Sequence, residues 1–381
     1  MGGTLRSSKK RAVFVVLLAG LLLTAVLTRC GSVIQGDYAS DGQPFDFAKP
    51  RCSASAVDPT LTQVDIRYLG AGGVYIGWGP DAIMTGPFFS NPGVLRAAFG
   101  KYESDTERVR LHLRRVPVQK VRAILIGHSH YDHIGDIPVV AQEHTPASLI
   151  YANATGVSML SAYPPLRPRL RTVRRNEPIV IRDAGSQEVM RIYPVPSDHA
   201  PQICRWRGWP CEFANCRPEA AWSKPFEEHR LSEFCGGDPF AYVIDLLQEG
   251  EVKYRIYYND AAAQPPLGVP DTAFTGPRPY DIAIICMPSY DFVRDYPETL
   301  LAYLKPRHLI VGHYENFFSR SEGRWRFVPL LTNSKANAFF QRLQRIDYQT
   351  DPLPPVTKPC GVSADRWTMP VPDGQIIFDR K

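Results

Sequence analysis

The chain has 381 residues, 44% of them hydrophobic and 22% charged. That excludes a disordered, collagen-like or multi-pass membrane protein and leaves room for one large domain or two ordinary ones. The formal net charge is +6, but without Arg6, Lys9, Lys10, Arg11 and Arg29 the balance is 39 basic against 38 acidic residues, so charge gives no general case for a nucleic-acid partner.

Residues 12–28, AVFVVLLAGLLLTAVLT, carry no charge and follow the basic cluster. As a helix they rise roughly 25 Å, short for a bilayer span and long for a signal-peptide core. The positive flank stays cytoplasmic, so the rest of the chain is expected outside. Residues 1–30 read first as an uncleaved anchor, then as a cleaved signal. A lipoprotein signal ending at Cys30 ranks third, because Arg29 stands where a small residue is needed. The expected location is the cell envelope, on the extracytoplasmic side of the inner membrane, or periplasmic or secreted after cleavage. Residues 31–60 are polar and aperiodic and read as a linker or wrapping arm.

From residue 61 the elements alternate. Val64, Ile66 and Tyr68, a turn at Gly70–Gly73, then Val74, Ile76 and Trp78 predict a strand pair, with a third strand at Ala82–Thr85. Val121–Ile126 predicts a buried strand, followed by HSHYDHIGD and a helical spacing over Ile134–Glu143. Further strands are predicted at Ser148–Tyr151, Glu188–Val195, Ala241–Leu247, Tyr254–Tyr258, Ile282–Cys286 and His308–Val311, and helices at Pro297–Leu304 and Ser334–Arg345. Alternating strands and helices without an internal repeat give an α/β or α+β layered domain. Arg167, Arg169, Arg171, Arg174 and Arg175 read as a solvated loop or edge strand, with a basic lip for an anionic substrate or lipid headgroup as the functional alternative.

Eight cysteines fit an exported chain. Cys204, Cys211, Cys216 and Cys235 cluster, Cys52 and Cys360 lie near the two ends of the folded part, and Cys286 reads as a core thiol. Disulfides are favoured over a structural zinc site because no C-x2-C pair occurs.

The chemistry concentrates in His128-Ser129-His130-Tyr131-Asp132-His133. Three imidazoles and a carboxylate in six residues, directly after a buried strand, would be costly as ordinary core, and they are the donors that zinc and similar divalent ions take. In a turn, residues i and i+2 can face one ion while i+4 and i+5 serve a second.

HSHYDH matches the H-x-H-x-D-H signature of the metallo-β-lactamase fold superfamily, and the strand pair at 64–85 with Gly86-Pro87-Phe88-Phe89 resembles that fold's opening. The resemblance runs from about residue 61 to 318 and is greatest to the branch of N-acylphosphatidylethanolamine phospholipase D and the ascorbate-phosphate lactonases, on the strength of His313-Tyr314-Glu315-Asn316-Phe317. It implies a four-layer αββα sandwich over residues 61–381, with a Cys-rich insertion at about 202–237 that could serve as a stapled flap or as a lid. It also implies two divalent ions, zinc in the first place with manganese or iron as alternatives. His128, His130 and His199 would hold one ion and Asp132, His133 and His313 the other, with Asp260 bridging. Asn259 stands where the family more often has Gly, and Asp198 is a rival to its neighbour His199. His112, His144, His229 and His308 lack such contexts.

Two cations a few ångströms apart imply hydrolysis by a metal-bridging hydroxide, oriented by Asp132, with no protein nucleophile. Tyr131, Tyr290, Tyr314 and His308 are candidate proton donors. The leading expectation is a membrane-anchored, extracytoplasmic hydrolase of a phosphodiester or phospholipid-type substrate. A lactonase or β-lactam-like amidohydrolase is the runner-up. A non-catalytic metal-binding envelope protein and a mononuclear iron enzyme of the thiol-dioxygenase type remain as other classes. The expected partners are a small-molecule or lipid substrate and the membrane, with no nucleic acid; oligomeric state is not legible.

Overall fold

The computed structural model describes residues 58–201, 221–319, 326–329, 331–356 and 361–380. The strands are β1 (Gln63–Gly70), β2 (Gly73–Trp78), β3 (Asp81–Thr85), β4 (Val121–Leu125), β5 (Leu149–Ala152), β6 (Leu170–Thr172), β7 (Ile179–Arg182) and β8 (Glu188–Pro196). They continue as β9 (Phe240–Gln248), β10 (Glu251–Tyr258), β11 (Ile282–Cys286), β12 (His308–Gly312), β13 (Gly361–Ala364), β14 (Trp367–Pro370) and β15 (Gln375–Asp379).

These strands build two mixed sheets. One has the order β15-β1-β2-β3-β4-β5-β6 and the other β13-β14-β12-β11-β10-β9-β8-β7. Strands β3, β4, β5 and β6 run parallel to one another, as do β10, β11, β12 and β14. Parallel strands are covered on both faces, which is why β11 (IAIIC) is an unbroken apolar run with every residue buried. The sheets meet through side chains that also satisfy backbone groups. Trp78 Nε1 donates to the Leu247 carbonyl at 2.7 Å, and Tyr242 and Tyr258 donate to the carbonyls of Ile126 and Gly72. Helices complete the layers: Ala154–Leu160 packs on β5 and β6, and Asn333–Leu343 lays Phe340 on Trp367 of β14.

Three local readings change. The helical spacing over Ile134–Glu143 resolves into short helices at Tyr131–Ile134 and Ile137–Val139 and a π-turn at Val140–His144. Pro138 occupies the first turn of the second helix, where its missing N–H costs nothing. The polar residues alternating in β1 are not solvated: Asp65 and Arg67 pair at 2.8 Å, both buried, beneath Gln375 of β15. The segment after residue 318, beyond the reach of the family resemblance, closes both sheets, with β15 antiparallel to β1 and β14 parallel to β12.

The apolar run 12–28 and the arm at 31–57 lie outside the described residues, among which no helix is long and apolar enough to cross a membrane. Cys286 is a free, buried thiol and Cys235 is not free. The other six cysteines lie outside the described residues, so the disulfide expectation falls largely there. Arg167–Arg175 run from the end of the helical turn Pro164–Arg169 through the edge strand β6 and the turn after it. Arg169 donates to the carbonyls of Ala141, Thr145 and Ser148, a structural task. None of the five arginines reaches the cavity described below.

Candidate metal centre

All seven donors singled out in the sequence sit at the same end of the strands. His128 follows β4, His199 follows β8, Asp260 follows β10 and His313 follows β12. The turn carrying His128–His133 is tied on two sides. Gly127 accepts from Phe240 N–H at 2.8 Å, Ser129 N–H donates to Gly236, and Ser129 Oγ donates to Asn153 Oδ1 at 2.9 Å. Ser129 is thereby a structural residue. His130 precedes the helix Tyr131–Ile134, which places Asp132 and His133 in its first turn.

The donors form three overlapping groups, His128/His130/His199, His128/His133/Asp260 and Asp132/His133/His313, each with its ligand atoms within 4.8 Å of one another. Asp260 Oδ1 lies 3.1 Å from His128 Nδ1, and its Oδ2 lies 3.4 Å from His133 Nδ1, so one carboxylate spans both halves. Asp132 Oδ2 stands 3.6 Å from His133 Nε2 and 3.5 Å from His313 Nε2. His133 Nε2 and His313 Nε2 face each other at 3.2 Å. His199 Nδ1 donates to the Ala200 carbonyl at 2.7 Å, leaving Nε2 for the centre. Asp198 turns away from that role: its Oδ1 accepts the His199 N–H at 2.8 Å.

The residues fit divalent cations. His128 Nε2, His133 Nδ1, Asp260 Oδ2 and His313 Nδ1 are buried without a hydrogen-bond partner, a costly arrangement unless something else satisfies them. Charge states agree. Burial pushes His133 down to about 3, with His128 adding to the effect, and burial with His128 and His130 holds His199 well below the usual range. Burial alone would raise the carboxylates, but His128 and His133 hold Asp260 down to about 2, and His133 and His313 hold Asp132 lower. Neutral imidazoles beside ionised carboxylates are the protonation states of ligands. Burial opposes protonation of His313, yet Asp132 raises it; a cation there would take the place of that proton.

Several supports were not legible as such. Gly127 leaves room for Asp260: a Cβ there would lie 2.6 Å from Oδ1 and 2.7 Å from Cγ of the carboxylate. His313 has φ +58°, a conformation non-glycine residues adopt only under constraint. Its N–H donates to Tyr68 Oη at 2.6 Å, and Tyr68 Oη donates to Glu315 Oε2 at 2.6 Å. Glu315 Oε1 also accepts the Ala71 N–H. Asp136, the last residue of HSHYDHIGD, is wholly buried and accepts from the backbone N–H groups of Phe89 and Ser90, from Ser90 and Ser104 Oγ and from Tyr102 Oη. Asn259, in the family's Gly position, ties Ser197 Oγ to the end of β10.

A cavity of about 590 Å³ opens onto His130, Asp132, His199, Asp260 and His313. Its walls are largely apolar, with Val94 and Ala97 on one side and Phe317, Phe318 and Leu331 on another. Within the 202–237 insertion, residues 202–220 lie outside the described residues; Leu231 and Phe234 line the cavity, and Phe234 packs on Phe226, Trp222 and Tyr102. Of the four candidate proton donors, Tyr131 alone reaches this cavity, with its hydroxyl unpartnered. Tyr290 donates to Lys335 O, Tyr314 to Pro370 O, and His308 Nε2 bonds Thr368 Oγ1 inside the second sheet.

Residues 94–279 match the model of the metallo-beta-lactamase superfamily. That region is just under half of the chain. It contains six of the seven donors and ends before His313. No curated protein matches the chain. Among solved structures, the chain is similar to Igni18, a novel metallo hydrolase from Ignicoccus hospitalis (14% identity, 84% of this chain and 100% of that one, TM-score 0.47). It is also similar to a possible metal-dependent hydrolase from Veillonella parvula (10% identity, 83% and 99%, TM-score 0.45). A third is CmlA, a diiron beta-hydroxylase from Streptomyces venezuelae (12% identity, 67% and 46%, TM-score 0.39). The chain pairs a match to that superfamily's model with a cluster of metal-binding residue types.

Proposed function

We propose that the protein is a binuclear metal-dependent hydrolase of phosphodiester or phospholipid-type substrates, akin to the N-acylphosphatidylethanolamine phospholipase D branch. The observation that carries the reading is the overlap of three donor groups through His128 and His133, behind an apolar cavity lined by His130, Asp132, His199, Asp260 and His313. His128, His130 and His199 would hold one ion, Asp132, His133 and His313 the other, with Asp260 between them. When bound, such ions polarise an oxygen of the substrate and lower the pKa of water, with zinc the first candidate. Asp132, ionised and facing the cavity, accepts a hydrogen bond from the attacking water and orients it. Tyr131 Oη, buried and otherwise unpaired, donates to the leaving oxygen. The apolar walls receive a hydrocarbon portion and exclude water.

The uncharged run 12–28 behind its basic cluster supports anchoring at a membrane with the catalytic domain on the extracytoplasmic side. A lactonase or β-lactam-like reading uses the same residues on a carbonyl. The test is metal analysis of the purified chain, with turnover of bis-p-nitrophenyl phosphate, an acyl-homoserine lactone and nitrocefin. Two ions per chain and phosphodiester turnover abolished by Asp260→Ala are expected. Turnover of carbonyl substrates alone would overturn the phosphodiester reading. One iron per chain would overturn the two-ion reading, and no turnover of any kind would favour a metal-binding envelope protein.

A further inference from the structure

We propose that Lys335 is an anion-binding subsite in the wall of this cavity, selecting substrates that carry a second anionic oxygen group away from the scissile bond. The inference rests on the hydrolase reading and names the substrate's remote end. Lys335 is the only Lys or Arg among the described residues lining the cavity. It shares that wall with Asp291, and its ammonium stays partly solvated rather than sealed in hydrocarbon.

The residue is held in place rather than left to sweep. Its Nζ donates to Asp291 Oδ2 at 2.6 Å and sits 5.3 Å from the centroid of the Phe292 ring. Its carbonyl accepts from Tyr290 Oη at 2.9 Å, and Tyr290 lies under Arg342 and edge-on to Phe339 of the same helix. The helix Asn333–Leu343 and the turn Ser289–Phe292 are therefore clamped together through Lys335, Phe339 and Arg342. Ser289, also in the cavity wall, is in the left-handed region at φ +60°, and backbone strain of that kind gathers at ligand clamps.

The clamp leaves capacity. An ammonium has three N–H donors and Asp291 takes one of them. The Lys335 side chain is 35% exposed and that of Asp291 28%, so the pair is a weak one that a ligand can share or open at little cost. A carboxylate or phosphate oxygen entering the cavity would meet a fixed donor. A neutral hydrocarbon end would meet the same group with no gain.

Calorimetry on the metal-loaded full chain tests this with octylphosphonate and with ω-carboxyalkylphosphonates of short, intermediate and long chain. One member of the carboxylate series is expected to bind about tenfold more tightly than octylphosphonate, the scale of one partly exposed charge-assisted hydrogen bond. Lys335→Met should erase that preference while octylphosphonate affinity, the internal check on folding, stays unchanged; Lys335→Arg should keep it. Absence of the preference in the wild type, or its survival in Lys335→Met, overturns the subsite. Phosphonate binding without turnover of any phosphodiester would instead refute the hydrolase reading and leave the subsite standing.

Discussion

Replacing Gly127 by Ala isolates the contact on which the shared carboxylate depends. The added methyl would stand 2.6 Å from Asp260 Oδ1 and 2.7 Å from its Cγ, and it also meets Oδ2. Ordinary contacts between such atoms begin near 3.5 Å, so Asp260 must retreat by about 1 Å. It is then pulled from His128 Nδ1, now 3.1 Å away, and from His133 Nδ1, now 3.4 Å away. Overpacking of this kind costs about 1–3 kcal/mol. At about 2.1 cal/mol/K per residue over roughly 290 described residues, 2 kcal/mol corresponds to a fall in Tm of about 3 °C. Loss of the carboxylate's position should also weaken metal binding by about tenfold or more. The assay is a double-mutant cycle with Asp260→Ala, read by thermal unfolding of the metal-free chain and by metal titration. On the Asp260→Ala background the clashing atoms are gone, and Gly127→Ala should be neutral within about 0.5 kcal/mol. Equal costs on both backgrounds, or full retention of both ions by Gly127→Ala, would refute the argument.

Two further expectations concern groups off the ligand list. Glu315→Gln replaces a carboxylate that accepts from both Tyr68 and Ala71 with an amide that turns a donor toward one of them. The ion held by His313 should weaken by about 10–100-fold while the one held by His128, His130 and His199 is retained, as read by stepwise metal titration; equal weakening of both would point to a general loss of structure. Burial, with Arg366 adding to it, holds His308 down to about 3, against 6.5 when unfolded. Between those values the unfolded chain binds the extra proton, so this contribution is intact above pH 6.5 and is lost as pH falls toward 3. About 2 kcal/mol should go between pH 6.5 and 5, measured by denaturant titration, and His308→Gln should flatten that part of the profile.

The sequence by itself pointed to the candidate donors, which the fold brings together, and to most of the framework that carries them. His128, His130, Asp132 and His133 announce themselves because ligand chemistry requires particular residue types at close spacing. The central strands β4, β8, β9, β10, β11 and β12 announce themselves by their β-branched and aromatic residues, in an unbroken apolar run only in β11 (IAIIC). The outer strands were hidden: β6 (LRT) and β13 (GVSA) are too short to show a period, and β15 pairs with β1 across nearly the whole domain. Glu315, Tyr68, Asp136 and Gly127 were equally silent. What each of them does is set by partners far away in the chain: a hydroxyl 247 residues distant for Glu315, a carboxylate in the next sheet for Gly127. The arginine-rich stretch reads first as a solvated loop or edge strand, and its alternative as a basic lip fails because Arg169 donates to three carbonyls of the neighbouring turn and none of the five arginines lines the cavity. Lys335, without a motif of its own, is the one Lys or Arg among the described residues lining the cavity. Residue type and local spacing fix which groups could bind a metal. Only the crossing of distant segments decides which buried groups find partners and which stay unsatisfied, and so where the centre and its cavity lie.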